Sequence, residues 1–229
     1  MTDAWVEIAK GGVAPLPGTD ALLCDNPSPN TTCETVDKVW YRGSPALDLQ
    51  ATSFDYAGDM FLQVNGSILS DHNPVLVDFA WSLSEELRVS ETFGGEYGTW
   101  FNDVEELAKL DAVSVKSVTL RGANRLDGVT VTLASGQVFA HGGAGGTAST
   151  LELQEGEKLV GATVCRGEKD GNARVFYAEM KSSAGRTVSA GVKTSDCVEK
   201  KAEDGWAITG FLGRDGDEID LLGFVYGKV

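Results

Sequence analysis

From residue 90 onward the chain alternates between apolar and polar residues in short runs separated by glycines, and this pattern constrains the fold most. Such runs occupy 113–120, 128–133, 138–140, 159–166, 174–181, 187–191, 206–211 and 219–226. Side chains of a strand point alternately to its two faces, so a period of two indicates half-buried β-strands. Only 2–9 and 104–110 have the composition of short helices. The chain is therefore predicted to be mainly β.

Charge and hydrophobicity limit the partners of the chain. Hydrophobic residues make up 42% and charged residues 23%, which is typical of a globular protein. The net charge of −15 disfavours nucleic acid and anionic membrane surfaces as partners. No run of about 18 apolar residues predicts membrane insertion, and the first residues do not resemble a signal peptide.

The four cysteines leave the location of the protein open. An even number fits two disulfides in a secreted protein, and it also fits four buried thiols in a cytosolic one. We slightly favour secretion. If disulfides form, we expect Cys24 to pair with Cys33 and Cys165 with Cys197, because each pair falls inside one of the two units, 1–85 and 90–229, that the composition predicts.

The composition changes near residue 85 and predicts two units, 1–85 and 90–229. The prolines precede this point, whereas glycine-rich stretches such as FGGEYG and HGGAGG follow it. The polar stretch SLSEEL, residues 82–87, is the predicted joint between the two.

One glycine loop, within 210–226, has the residues of a sugar-binding site. Gly213 and Gly216 bracket a tight turn, in which the amides of Asp217 and Glu218 can face one concavity. The Asp220 carboxylate at the edge of the turn can accept hydrogen bonds from adjacent sugar hydroxyls. The alternative is an ordinary hairpin turn with an exposed acid.

Residues 90–229 resemble the jacalin-related lectins over their whole length. The resemblance rests on FGGEYGTWFND, VSVKSVTLRG, LDGVTVTL, HGGAGGT, LELQEGEKL and ITGFLGRDGDEIDLLGFVY, in this order. It implies a β-prism of three Greek-key sheets that binds glycans or glycoproteins, of the mannose or glucose type, without a metal or other cofactor. A homo-oligomer is compatible with it. The residues that it places around the sugar are Gly98, Gly216, Asp217, Glu218 and Asp220.

The same resemblance raises three further points. Tyr97 stands where relatives often have glycine, and could cover the sugar or obstruct the site. A second site of some relatives would use Asp127 and Gly146, but Ala123 and Asn124 depart from its pattern, so a structural turn is preferred. His141 in the HGGAGG loop is predicted to have a packing or hydrogen-bonding role.

Two aromatic residues of the predicted strand at 206–211 read most simply as core residues. These are Trp206 and Phe211, which are spaced as residues of one strand.

Residues 1–81 resemble the last third of an endonuclease/exonuclease/phosphatase domain of the DNase I-like kind. The motifs are TTCETVDKVWYRG and SILSDHNPVLVDFAW. The resemblance implies a partial α/β sandwich in which His72 is a general base, Asp37 orients it and Asp71 lies near metal or phosphate. The half of that fold that carries the metal-binding glutamate would precede Met1.

We therefore expect no hydrolysis by the chain alone. The alternative is a lectin-targeted, metal-dependent phosphodiesterase or phosphatase that is active only with the missing half, with Mg²⁺ or another divalent ion as cofactor.

Overall fold

The computed structural model describes all 229 residues, and their contacts divide the chain into two compact units, Met1–Leu83 and Ser84–Val229. No helix in either unit has the length and apolar character needed to cross a bilayer.

The first unit is small and has little regular structure. In chain order it contains β1 (Thr2–Asp3), α1 (Ala4–Ala9), β2 (Trp40–Tyr41), β3 (Leu47–Tyr56), a 3₁₀ turn (Gly58–Phe61) and β4 (Val75–Leu83). Strand β1 pairs with β2, and β3 pairs with β4 in an antiparallel ribbon.

Helix α1 begins later than the sequence predicted. Asp3 caps it by accepting the backbone N–H of Trp5 at 2.9 Å, and residues 2–3 pair with β2 instead. The core of the first unit consists of Ala4, Trp5, Ala51 and Phe54. The indole N–H of Trp5 donates to the carbonyl of Thr31, so the long irregular stretch before β2 is held against this core.

The second unit consists of antiparallel strands and one short helix. Its elements are β5 (Leu87–Val89), β6 (Phe93–Gly94), β7 (Thr99–Asn102), α2 (Val104–Leu107), β8 (Val115–Gly122), β9 (Leu126–Leu133), β10 (Val138–Gly142), β11 (Thr147–Glu152), β12 (Leu159–Lys169), β13 (Asn172–Ser182), β14 (Thr187–Gly191), β15 (Asp196–Lys201), β16 (Trp206–Asp215) and β17 (Ile219–Lys228). Helix α2 is shorter than the predicted 104–110, since the chain turns at Ala108.

These strands form three sheets with the orders β10-β9-β8-β11, β14-β13-β12-β15 and β5-β17-β16-β7, and β6 also pairs with β17. Their inward-facing residues make the core. Examples are Val118, Val131, Val164, Met180, Phe211 and Phe224, all of which are fully buried. Mainly β structure was predicted, and the alternating runs account for it.

Trp206 corrects one prediction. Unlike Phe211, it is only partly buried, because it lies at the start of β16. The guanidinium group of Arg88 covers one face of its ring, with the guanidinium carbon 4.1 Å from the ring centroid.

Both predicted disulfides are present, and no cysteine is free. Cys24 and Cys33 close a loop in the first unit. Cys165 and Cys197 lie directly opposite each other on β12 and β15. The alternative of four thiols is therefore wrong for this structure.

Candidate functional site

The turn between β16 and β17 has unused hydrogen-bond donors. Its own closing bond runs from the Gly216 amide to the Glu218 carbonyl at 3.0 Å. The amides of Asp217 and Glu218 donate to no acceptor of the protein, and neither does the amide of Gly98. All three can therefore donate to a ligand.

Asp220 is buried beside Gly98. Only 5% of Asp220 is exposed, and the Gly95 amide donates to its carbonyl at 2.7 Å. Gly98 has a φ of +79°, and a Cβ at this position would lie 2.5 Å from Asp220 Oδ2. The glycine therefore lets the chain pass directly over the carboxylate.

The other carboxylate oxygen of Asp220 has a partner that sequence reasoning missed. Oδ1 accepts an N–H from the guanidinium group of Arg174, at the start of β13. Burial raises the pKa of Asp220 above its usual value, and the positive charge of Arg174 opposes that shift. Oδ2 thus remains as the oxygen that faces Gly98.

Tyr97 lies beside Arg174. The guanidinium carbon of Arg174 is 5.1 Å from the centroid of the Tyr97 ring, which is half exposed. Tyr97 and Asp220 therefore contact the same guanidinium group, and the tyrosine forms one wall of the site.

Glu218 can offer a ligand its backbone amide, whereas its carboxylate is already paired with cations of the protein. Arg125 forms a two-pronged ion pair with it, and Lys169 Nζ lies 3.0 Å from Oε1. The hydrogen bond from Arg125, which is the main cause, and a smaller one from Lys169 together lower the pKa of Glu218 to about 2, and burial opposes this shift.

The turn at 123–127 repeats this construction. The Ala123 amide donates to the Arg125 carbonyl at 3.1 Å, as Gly216 does to Glu218. The Gly143 amide donates to the Asp127 carbonyl at 2.7 Å, as Gly95 does to Asp220.

The carboxylate of the second turn also has a glycine beside it. A Cβ on Gly146, where φ is +60°, would lie 2.6 Å from Asp127 Oδ2. Asp127 forms no salt bridge. Its turn thus has the backbone of the first turn without the cation that Arg174 supplies there.

A third position has the same backbone contact without the acid. The Val192 amide donates to the Phe176 carbonyl at 2.9 Å, and Gly191 would clash with that carbonyl if it carried a side chain. Phenylalanine stands here where the other two positions have aspartate. This third position therefore lacks a carboxylate for a sugar.

His141 has the structural role that was predicted for it. Its Nε2 lies 2.8 Å from Oδ1 of the buried Asp103, whose Oδ2 accepts the Phe211 amide. The imidazole also stacks on Phe101 with ring centroids 4.0 Å apart.

In the first unit, His72 and Asp37 lie together as the resemblance implied. Nδ1 of His72 is 2.9 Å from Asp37 Oδ2, and both side chains are about half exposed. His72 and Asp71 border an open cavity of about 570 Å³, which Glu34 also lines. The side-chain amide of Asn73 donates to the Cys24 carbonyl at 3.1 Å, so this loop is held against the first disulfide.

A divalent ion does not fit the first unit as it stands. Nowhere in the chain do three or more histidine, cysteine, aspartate or glutamate side chains converge as metal ligands. A divalent cation of the Mg²⁺ or Ca²⁺ type requires more oxygen ligands than His72, Asp37 and Asp71 bring together.

Comparison with known proteins places the second unit in a family. The jacalin-like lectin domain matches residues 90–225, more than half of the chain. Similar solved structures include a mannose-binding jacalin-related lectin from Ananas comosus, with a TM-score of 0.53, 23% identity, and coverage of 62% of this chain and 99% of that one. A mannose-specific lectin from Morus nigra, solved with mannose, has a TM-score of 0.53 and 19% identity, covering 63% of this chain and 96% of that one.

The match to residues 90–225 shows that the chain belongs to the jacalin-like lectin domain family, and its second unit is a carbohydrate-binding lectin domain. At these identities, the likeness to the solved structures shows the fold.

A second group of relatives consists of sphingomyelinases. Those of Mycobacterium tuberculosis and Mycobacterium bovis are 35% identical over 79 residues, which is 34% of this chain and 15% of theirs. The chain thus spans only a small part of the length of these curated relatives.

Proposed function

We propose that the second unit is a β-prism lectin that binds mannose- or glucose-type glycans at the turn 216–220. The observation that carries this proposal is the buried Asp220 carboxylate beside three unused amides, those of Gly98, Asp217 and Glu218. A hexose presents adjacent hydroxyls that donate to the carboxylate, and oxygens that accept from the amides. The solved neighbours include a mannose-binding and a mannose-specific lectin, which supports the choice of sugar.

Arg174 contributes to this proposed site. It neutralises Asp220 and fixes the carboxylate through Oδ1, so that Oδ2 is directed toward the sugar. Tyr97, on the other side of Arg174, would contact one face of the pyranose ring.

Calorimetric titration with methyl α-mannoside and methyl α-galactoside tests this function. We expect binding of the mannoside with a dissociation constant of about 1 mM, and no detectable binding by Asp220→Ala. Hydrogen bonds to a charged group contribute about 1.5–3 kcal/mol each, so their loss takes a millimolar ligand out of the measurable range. Asp204→Ala, in an exposed turn, is the matched control and should bind like the wild type. Preference for galactoside, or unchanged binding by Asp220→Ala, would refute the proposal.

The turn at 123–127 is a candidate for a second sugar site. Its backbone bonds and its Asp127–Gly146 contact repeat those of the first turn. A stoichiometry of two sugars per chain that falls to one in Asp127→Ala would support it.

The His72–Asp37 pair favours a second candidate function, phosphodiester hydrolysis. An imidazole held at Nδ1 by a carboxylate leaves Nε2 free to accept a proton from water. The sphingomyelinase relatives make a phosphodiester of a lipid the candidate substrate. The metal ligands for such a reaction are not brought together within residues 1–229. We therefore propose hydrolysis only for a larger assembly that supplies them, with the lectin unit directing it to glycans.

A further inference from the structure

Two partly exposed arginines of the second unit have no acidic partner. They are Arg121 on β8 and Arg214 on β16, and we refer to them as the rim arginines. The other arginines of this unit all pair with an acid, so the rim arginines are exceptions in a chain with a net charge of −15. The pairs are Arg88–Glu203, Arg125–Glu218, Arg166–Asp196, Arg174–Asp220 and Arg186–Glu157.

Arg214 has a fixed relation to the acid and the glycine of the turn 216–220. It lies opposite Leu221, which directly follows Asp220 in the chain. On its other side it lies opposite Trp100, two residues after Gly98. The sheet therefore places this arginine between the two strands that bring the acid and the glycine together.

Arg121 has the same relation to the turn 123–127. It lies opposite Gly128, which directly follows Asp127. On its other side it lies opposite Ala148, two residues after Gly146. The rim arginines thus occupy equivalent positions in two of the three sheets.

The equivalent position in the third sheet holds a cysteine. Cys165 lies opposite Tyr177, which directly follows Phe176, and its other partner is Cys197, to which it is disulfide-bonded. This is the position that has phenylalanine in place of the acid. An arginine therefore accompanies each turn that has a carboxylate for a sugar, and none accompanies the position without one.

Each rim arginine bonds to the glycine that lies over the acid and keeps donors free. Nη1 of Arg214 donates to the Gly98 carbonyl at 3.2 Å, and Nη1 of Arg121 donates to the Gly146 carbonyl at 3.1 Å and the Ala144 carbonyl at 3.3 Å. Nε and Nη2 of both arginines donate to no acceptor of the protein. Since the amide of Gly98 is one of the donors proposed for the sugar, the free N–H groups of Arg214 border the sugar site.

We propose that the rim arginines bind an oxyanion group next to the bound hexose, so that the lectin unit selects acidic glycans carrying phosphate or uronic acid groups. This inference rests on the proposed sugar site. A guanidinium group stays charged and presents its N–H donors as a planar fork that matches a carboxylate or a phosphate. The net charge of the chain does not prevent such a contact, because charges farther away than about 8 Å are largely screened at physiological salt.

Calorimetric titration of the full chain with neutral and acidic sugars tests the proposal. The probes are methyl α-mannoside, its monophosphates, and a disaccharide of glucuronic acid and mannose, so phosphate and carboxylate are distinguished. Glu96 and Asp217, exposed acids of the same loops, oppose an anion. We therefore expect the best acidic probe to bind about fivefold more tightly than methyl α-mannoside. This gain should decline as NaCl is raised from about 0.05 M to about 0.5 M.

In the double variant Arg121→Gln/Arg214→Gln, the acidic probe should bind no more tightly than methyl α-mannoside. Both ligands are compared on the same variant, so a general weakening of the site cancels from the ratio of their affinities. Arg121→Lys/Arg214→Lys keeps both charges and should retain a gain, which gives a second measurement if the glutamine variant binds neither ligand.

The matched control is Arg42→Gln/Lys228→Gln, which removes two exposed cations far in sequence from both turns and changes the net charge equally. It should keep the full gain. Thermal unfolding checks that every variant is folded.

Three outcomes would overturn the inference while leaving the sugar site in place. These are methyl α-mannoside binding with no gain for any acidic probe, an undiminished gain in the glutamine variant, and an equal loss of the gain in the control. Failure of every probe to bind would refute the proposed sugar site itself, and this inference with it.

Discussion

Arg125 and Glu218 form a two-pronged ion pair that joins equivalent positions of two turns. Arg125 is the third residue of the turn 123–127, and Glu218 is the third residue of the turn 216–220. In each turn the carbonyl of this residue accepts the amide two positions earlier. The pair therefore cross-links the turn of the proposed sugar site to its structural counterpart.

Replacing Glu218 should weaken the fold in a pH-dependent way. The pKa of Glu218 is about 2 in the folded protein, below its usual value of 4.5. A lowered pKa gives stability that is present above pH 4.5 and is lost as the pH falls toward 2. Glu218→Gln should cost about 1–3 kcal/mol at pH 7, the value of hydrogen bonds to a charged group.

Thermal unfolding between pH 2 and pH 7 measures this effect. The difference in stability between the wild type and Glu218→Gln should shrink as the pH falls below 4.5 and should vanish near pH 2. Glu155→Gln changes an exposed glutamate and should show no difference. A difference between the wild type and Glu218→Gln that does not change with pH would contradict the prediction.

Removing Arg174 should shift the pH dependence of sugar binding. Burial already raises the pKa of Asp220, and Arg174 opposes this, so Arg174→Met should raise it further. Since the charged carboxylate is the form that accepts hydrogen bonds, the mannoside affinity of the variant should begin to fall at a higher pH than in the wild type. Arg174→Met should also cost about 1–3 kcal/mol, because it leaves a buried carboxylate unpaired.

Titration with methyl α-mannoside from pH 4 to pH 8 gives the measurement, with Arg174→Lys as the matched variant that keeps the charge. Identical pH profiles for wild type and Arg174→Met would show that Arg174 does not control the ionisation of Asp220.

Two glycines of the proposed site should respond differently to alanine. Gly98 has a φ of +79°, and a Cβ there would meet Asp215 O and Asp220 Oδ2 at 2.5 Å. Gly216 has no atom within 4 Å of that position and no positive φ. Gly98→Ala should therefore cost about 1–3 kcal/mol and lose mannoside binding, whereas Gly216→Ala should change affinity less than twofold. Urea unfolding and calorimetry check both, and equal effects of the two substitutions would refute the prediction.

The chain by itself should not hydrolyse phosphodiesters. His72 is oriented by Asp37, but no group of three metal ligands is assembled, and the net charge opposes an anionic substrate. Wild type and His72→Ala should show the same background with plasmid DNA, RNA and bis-nitrophenyl phosphate in Mg²⁺, Mn²⁺ or Ca²⁺. Turnover that disappears in His72→Ala would make hydrolysis the leading function.

The sequence by itself predicted eight of the thirteen strands of the second unit, and it missed β5, β6, β7, β11 and β15. It also singled out the turn 216–220, which joins β16 and β17. Alternation of apolar and polar residues has a purely local cause, the geometry of a strand, so runs such as 187–191 were predicted with the bounds that the structure has. The cysteine pairs were also predicted from the sequence, because both members of each pair lie within one unit.

The tertiary structure alone decided what surrounds the Asp220 carboxylate. Arg174 comes from β13 and Arg125 from the turn before β9, far from Asp220 and Glu218 in sequence. No local pattern predicts which cation meets which acid, because the partners are chosen by how the sheets pack. Tertiary packing also decided the place of Trp206. Its position in a predicted strand indicated burial, but it lies at the start of β16 and packs against Arg88.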